Sequence, residues 1–196
     1  MNIAKPFSQA CENNKQPILK HLKTVLKECH HVLEIGSGTG QHAVYFSANM
    51  PQLIWQCSDR AENIAGICQW LNDTALSAPL TLDVRDDNWP NQKFDAIFSA
   101  NTLHIMSWEE VELFFHRVNT QLKATALLCI YGPFKYKGAF TSESNAKFDL
   151  WLKNNNALSG IRDFEAIETL AHQAGFTLQA DHQMPANNQL LIWQRG

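Results

Sequence analysis

The chain has 196 residues, 45% of them hydrophobic and 18% charged, a balance that excludes a disordered tail and allows a sizeable core. A net charge of -3 argues against a surface built mainly to hold nucleic acid, so nucleic acid is a disfavoured partner. No apolar run reaches the roughly 18 residues of a membrane span, and the opening MNIAKPFSQACENN lacks the marks of a secretory or transit peptide, so a cytoplasmic protein without membrane contact is expected.

In chain order, Ile18, Leu19, Leu22, Val25 and Leu26 recur at helical spacing and predict an amphipathic helix over 16–29. Short apolar runs then alternate with helical ones. HHVLEI, LIWQCS, PLTLDV, FDAIFSA and ALLCIYG predict five strands. QHAVYFSAN, AENIAGICQWLND and WEEVELFFHRVNTQLK predict helices after the first, second and fourth. VRDDNWPNQK is too short and turn-rich for a crossover helix, so an irregular connection is expected there. DFEAIETLAHQAGF predicts a helix stopped at Gly175, and TLQADHQM and LLIWQR predict a closing hairpin across Pro185, Asn187 and Asn188. Cys11, Cys29, Cys57, Cys68 and Cys129 are scattered without a CxxC pair, which predicts reduced thiols and no zinc or other metal site.

Strands alternating with helices predict an α/β fold: a doubly wound, mostly parallel sheet covered on both faces. No repeat or composition break divides the chain, so 1–196 is expected to be a single domain, with 1–29 a helical N-terminal lid. In such sheets ligands sit beyond the carboxyl ends of the strands, where the first strand-to-helix turn lies. Here that turn carries Gly36, Gly38 and Gly40 after a strand ending in Glu34. The third glycine comes one place early for the dinucleotide fingerprint GxGxxG, and Gln41 stands where a small residue is wanted. Glu34 would repel a diphosphate and attract a cationic head group. The loop therefore suits something positive and nucleoside-like.

VLEIGSGTG, residues 32–40, resembles motif I of the class I S-adenosylmethionine-dependent methyltransferases. That resemblance implies a Rossmann-like, three-layer α/β/α fold with a seven-stranded sheet whose last strand is antiparallel. It also implies S-adenosylmethionine as cofactor. By the same resemblance Glu34, Gly36, Ser37, Gly38, Thr39 and Gly40 form the cofactor loop, and Asp59 with its neighbour Arg60 falls where an acid holds the ribose. Asp83 and Val84 fall at the adenine, and Asn101, Thr102 and Leu103 of FDAIFSANTLHIMSW along the methionine and adenine side. Over nearly its whole length the chain is similar to an uncharacterised methyltransferase-like family within that class. The similarity is carried by FSQACENNKQPIL, YGPFKYKGAFTSESNAKFD, SGIRDFEAIE and MPANNQLLIW.

Each of these residues also has a plainer role. Asp59 could cap the following helix; Asp83 competes with Asp86 and Asp87 as the loop acid. His104 could move a proton near neutral pH or simply pack. Tyr131 to Phe134 could floor an acceptor site or form a proline-stiffened turn, and Lys135 and Lys137 read best as solvated loop residues. His104 and Tyr131 are the candidate catalytic residues. The expected activity is methyl transfer to a small-molecule acceptor; the alternative is a catalytically silent S-adenosylmethionine-binding module that acts as a sensor or partner subunit. The place of the NPPY-like motif of amide and ring-nitrogen methyltransferases reads SANTLH, which disfavours adenine or glutamine as acceptor. The opening stretch with Glu12, Asn13 and Asn14, and a loop over 135–145, are expected to close over the site.

Overall fold

A computed structural model describes residues 5–87 and 89–196. The first four residues of the predicted lid, and Asn88 in the predicted irregular connection, lie outside the described residues.

The elements run α1 (Gln9–Val25), β1 (His31–Ile35), α2 (Gln41–Asn49), β2 (Ile54–Asp59), α3 (Ala61–Leu71), β3 (Leu80–Thr81), β4 (Phe94–Ala100), α4 (Trp108–Gln121) and β5 (Leu122–Gly132). After them come β6 (Phe134–Tyr136), β7 (Ala139–Phe140), α5 (Glu143–Asn155), β8 (Arg162–Asp163), α6 (Phe164–Gln173), β9 (Phe176–Met184), a 3-10 turn (Pro185–Asn187) and β10 (Asn188–Arg195).

Seven strands form the main sheet in the order β3-β2-β1-β4-β5-β10-β9. The strands from β3 to β5 are parallel, and β10 pairs antiparallel with both β5 and β9. This is the doubly wound sheet expected from the alternating pattern. The central strands read as continuous apolar runs because both faces are covered. Side chains alternate between two cores. Leu33, Ile97, Leu128, Ile130, Leu191 and Trp193 pack with Val111, Phe114 and Phe115 of α4 and Ile167 of α6. Val32, Phe98, Cys129, Leu190 and Ile192 pack with Ile18 and Leu22 of α1, Phe46 of α2 and Ile67 of α3. The result is three layers, and among the described residues no helix is long and apolar enough to cross a membrane.

Two expectations need correction. The opening helix starts at Gln9, not at residue 16, and ends at Val25 with Pro17 inside it. Ser8 sets the start: its side chain accepts from the Cys11 amide at 3.3 Å. Glu12, Asn13 and Asn14 are therefore helical, not part of a preceding loop. The stretch 135–145 is also not a loop. β6 and β7 make an antiparallel pair turned at Lys137 and Gly138, both at positive φ, and α5 begins at Glu143 behind the N-cap Ser142. With β8 these two strands form a second, three-stranded sheet.

Candidate functional site

The strand order reverses between β1 and β4, and the carboxyl ends of both open into one cavity of about 1210 Å³. Its floor is the turn after β1. Gly36, at φ 74°, sits so close to Thr102 that a Cβ there would lie 2.3 Å from the Thr102 Cγ2. Gly38, at φ 59°, faces open space, so a ligand can approach its backbone directly. The amides of Gly36 and Ser37 both donate to the Ser58 carbonyl at 3.0 Å, which locks the turn onto β2.

Glu34 holds this turn from behind. It is 1% exposed, and its Oε2 accepts from the Ser37 hydroxyl at 2.9 Å and the Trp55 indole at 3.1 Å. Burial pushes its carboxyl up to about 7, against the lowering effect of those two hydrogen bonds and with a small push from Asp59. Glu34 does not reach the cavity wall; neither do Gly40 and Leu103, whereas the other predicted cofactor residues line it.

Asp59 ends β2 and is tied to the loop across it. One carboxylate oxygen accepts from the Gly38 amide at 2.6 Å; the other accepts from the Arg60 amide at 2.7 Å and the Asn63 side chain at 2.8 Å. An ionised carboxylate offers about four acceptor positions, so one remains open, and a second opens if Asn63 gives way. The N-cap position of α3 is Arg60 and carries no side-chain cap hydrogen bond, so Asp59 ties the loop and the Asn63 side chain and does not cap the helix amides. Arg60 turns its guanidinium to Glu62.

Asp83 is engaged by Arg85, whose Nε and a terminal nitrogen donate to it at 2.9 and 2.5 Å. That pairing holds its carboxyl at about 2, well below the usual carboxylate range. Val84 follows it at the wall, its carbonyl accepting from Arg117 at 3.2 Å.

After β4, Asn101 takes φ 59° and its amide donates to the Tyr131 carbonyl at 2.8 Å. Thr102 bonds Ser99 through their hydroxyls at 2.6 Å. The turn is braced from outside: Arg162 donates to the Leu103 carbonyl at 3.0 Å and to that of Met106, and the Gly160 amide donates to the His104 carbonyl at 2.9 Å.

His104 lines the cavity at 6% exposure, with its ring edge-on to Phe148 at 5.4 Å. Burial first, and the nearby Arg162 charge second, hold its imidazole down at about 4, so it is neutral at pH 7. Tyr131 lines the same wall. Burial pushes its phenol up, against the lowering effect of hydrogen bonds from Asn14 and Asn188, so it keeps its proton at pH 7.

Several lining residues carry no motif: Asn14 and Asn145 were reached only as parts of the two segments expected to close over the site, and His42 and Phe148 were not picked out from the sequence. The Asn14 side-chain oxygen accepts from His42 Nε2 at 2.6 Å, and burial lowers the His42 imidazole to about 4. Asn145 of α5 donates to the Asn187 carbonyl at 2.9 Å and ties that helix to the closing hairpin. Phe148, one turn further, stacks on Trp151 at 5.8 Å. A usable signal existed in Ser142, an N-cap followed by Phe148, Trp151 and Leu152 at helical spacing.

The fold recurs in solved structures. An O-methyltransferase family protein from Burkholderia thailandensis superimposes with a TM-score of 0.84 at 18% identity, over 95% of this chain and 57% of that one. Human N-acetylserotonin methyltransferase, solved in complex with SAM, gives 0.81 at 16% identity over 96% and 53%. PigF, solved with SAH, gives 0.80 at 14% identity over 94% and 56%. The chain thus spans about half the length of the solved structures it matches and shares with them the Rossmann-like methyltransferase fold. The family model described as "Protein of unknown function (DUF938)" matches residues 5–195, and the chain belongs to that family.

Proposed function

We propose that the chain binds S-adenosylmethionine at the carboxyl rim of its sheet and catalyses methyl transfer to an oxygen of a small acceptor. The observation that carries this reading is the pairing of Asp59 with the Gly38 amide at 2.6 Å beneath an open-faced glycine. It leaves a carboxylate acceptor for a ribose diol and room for the chain of atoms that follows. The residues present fit the group. A Cβ at Gly38 would fill space that the ligand needs, and a cavity of about 1210 Å³ exceeds the upper end of the usual roughly 300–1,000 Å³ range for single-ligand sites. When bound, the cofactor supplies a methyl group already made electrophilic by a sulfonium.

The protein's own part is then positional. Asp59 and the glycine loop would orient the nucleoside. The turn from Asn101 to His104 would fix the acceptor's distance, and the helix bearing Asn13 and Asn14 would help to exclude water. His104, neutral at pH 7, is the group able to take a proton from an acceptor hydroxyl; Tyr131 would orient that hydroxyl as a donor. That the solved relatives include an O-methyltransferase family protein supports oxygen as the methylated atom. We read residues 1–196 as one cytoplasmic methyltransferase-like unit.

A second reading, a binding module without transfer, is supported by the weak basicity of His104. Methyl-labelled S-adenosylmethionine incubated with the protein and a metabolite extract separates the two. A labelled product that is lost in His104→Ala supports the enzyme, and cofactor binding without product across extracts supports the module.

A further inference from the structure

The lining of the cavity changes character along the sheet. Its ionised side chains are Asp59 on β2, Arg60 and Glu62 at the start of α3, Asp83 beyond β3, and Glu110 in the first turn of α4, among the described residues. All stand toward β2 and β3: Glu110 lies 3.7 Å from Arg85, which itself holds Asp83. Beyond β4 the wall is built from Asn14, His42, His104, Tyr131, Asn145 and Phe148.

Among the described residues no charged side chain lines this second half; Asp149 and Lys135 behind it are paired, and Arg162 is held by backbone carbonyls. Asp149 is 3% exposed, with one oxygen accepting from the Ile161 amide at 2.7 Å and the other 2.6 Å from Lys153. Lys135 lies 3.0 Å from Asp163, and Arg162 is spent on the Leu103, Met106 and Leu158 carbonyls. The two imidazoles are neutral at pH 7 and the phenol keeps its proton.

A carboxylate, phosphate or ammonium entering this half would lose its water with no opposite charge on the cavity wall to replace it. A hydroxyl finds amide, imidazole and phenol partners, and a flat apolar body finds Phe148, with Ile105 at the mouth 55% exposed. Resting on the methyl-transfer reading above, we propose that the acceptor is an uncharged hydroxyl compound with a flat apolar body, seated against Phe148 with its hydroxyl between His104 and Tyr131. The charged stretch of the cavity then serves the nucleoside alone.

The test uses the whole chain saturated with S-adenosylhomocysteine at pH 7.5 and three probes of one shape: 2-naphthol, 2-naphthoate and 2-naphthylmethylammonium. Calorimetry is expected to show 2-naphthol binding at least about tenfold tighter than either ion. Phe148→Ala should weaken 2-naphthol at least about fivefold while S-adenosylhomocysteine stays within about twofold. If Phe148→Ala unfolds, Tyr131→Phe serves instead: it should weaken 2-naphthol and leave naphthalene unchanged. Either ion binding as tightly as 2-naphthol, or none of the three binding to the loaded protein, overturns the proposal. Failure of S-adenosylhomocysteine itself to bind is a separate outcome and removes the reading beneath it.

Discussion

Glu34 is an acid placed where the sequence asks for one, yet its carboxyl faces Ser37 and Trp55 behind the glycine loop. Its folded-state pKa of about 7 lies above the ordinary value of 4.5. The sign follows from that order: the contribution is fully present below pH 4.5 and is lost as pH rises through 7, because the folded state must then hold a buried carboxylate. Unfolding of wild type and Glu34→Gln across pH 4 to 8 should show the wild type losing about 3 kcal/mol relative to the variant. A constant difference would show that folding leaves the Glu34 carboxyl at its ordinary pKa. Gly36 gives a second test at this scale. Its positive φ and the 2.3 Å approach to Thr102 predict that Gly36→Ala loses at least about 2 kcal/mol in denaturant unfolding; wild-type stability would contradict the locked turn. The acid, the glycines and Asp59 were legible because their spacing is fixed by a strand-to-helix turn. Asn14 and Asn145 were reached only as parts of expected lid segments and His42 not at all, since amides and imidazoles brought together from three helices leave no spacing to read.

At the scale of elements, α1 is joined to the loop by Gln41, the residue that broke the dinucleotide pattern. The Ser8 amide donates to its side-chain oxygen at 2.5 Å, and its nitrogen donates to Glu12 at 2.8 Å and to the Ser8 carbonyl at 3.4 Å. Pro6 packs against Gly66, and its carbonyl accepts from Trp70 at 2.5 Å, so the segment before α1 crosses α3. Gln41→Ala removes the partner of a partly buried amide, which costs about 1–3 kcal/mol locally. Hydrogen exchange should speed up at Ser8 and through the first turn of α1, and cofactor affinity should fall about tenfold. Unchanged protection at Ser8 would show that Gln41 does not latch the helix. The predicted helix began late because its apolar periodicity starts only at Ile18, whereas Ser8 caps a polar first two turns and Pro17 is tolerated inside the helix. The β6 and β7 pair escaped notice because each strand is too short to show a period.

For the molecule as a whole, the alternation of strands and helices was enough to predict a doubly wound, mostly parallel sheet, since parallel neighbours need crossover connections; the antiparallel ending came from the closing hairpin and the family resemblance, and the strand order was read only from the structure. That topology puts the ends of β1, β2, β3 and β4 along one rim and divides the cavity into a charged half and a neutral half. The account depends on an adenosyl ligand occupying the charged half. Calorimetric titration of the pure chain with S-adenosylhomocysteine measures this most directly. We expect one-to-one binding with a dissociation constant in the micromolar range, weakened at least about tenfold in Asp59→Ala. No heat and no thermal stabilisation at millimolar ligand would contradict it.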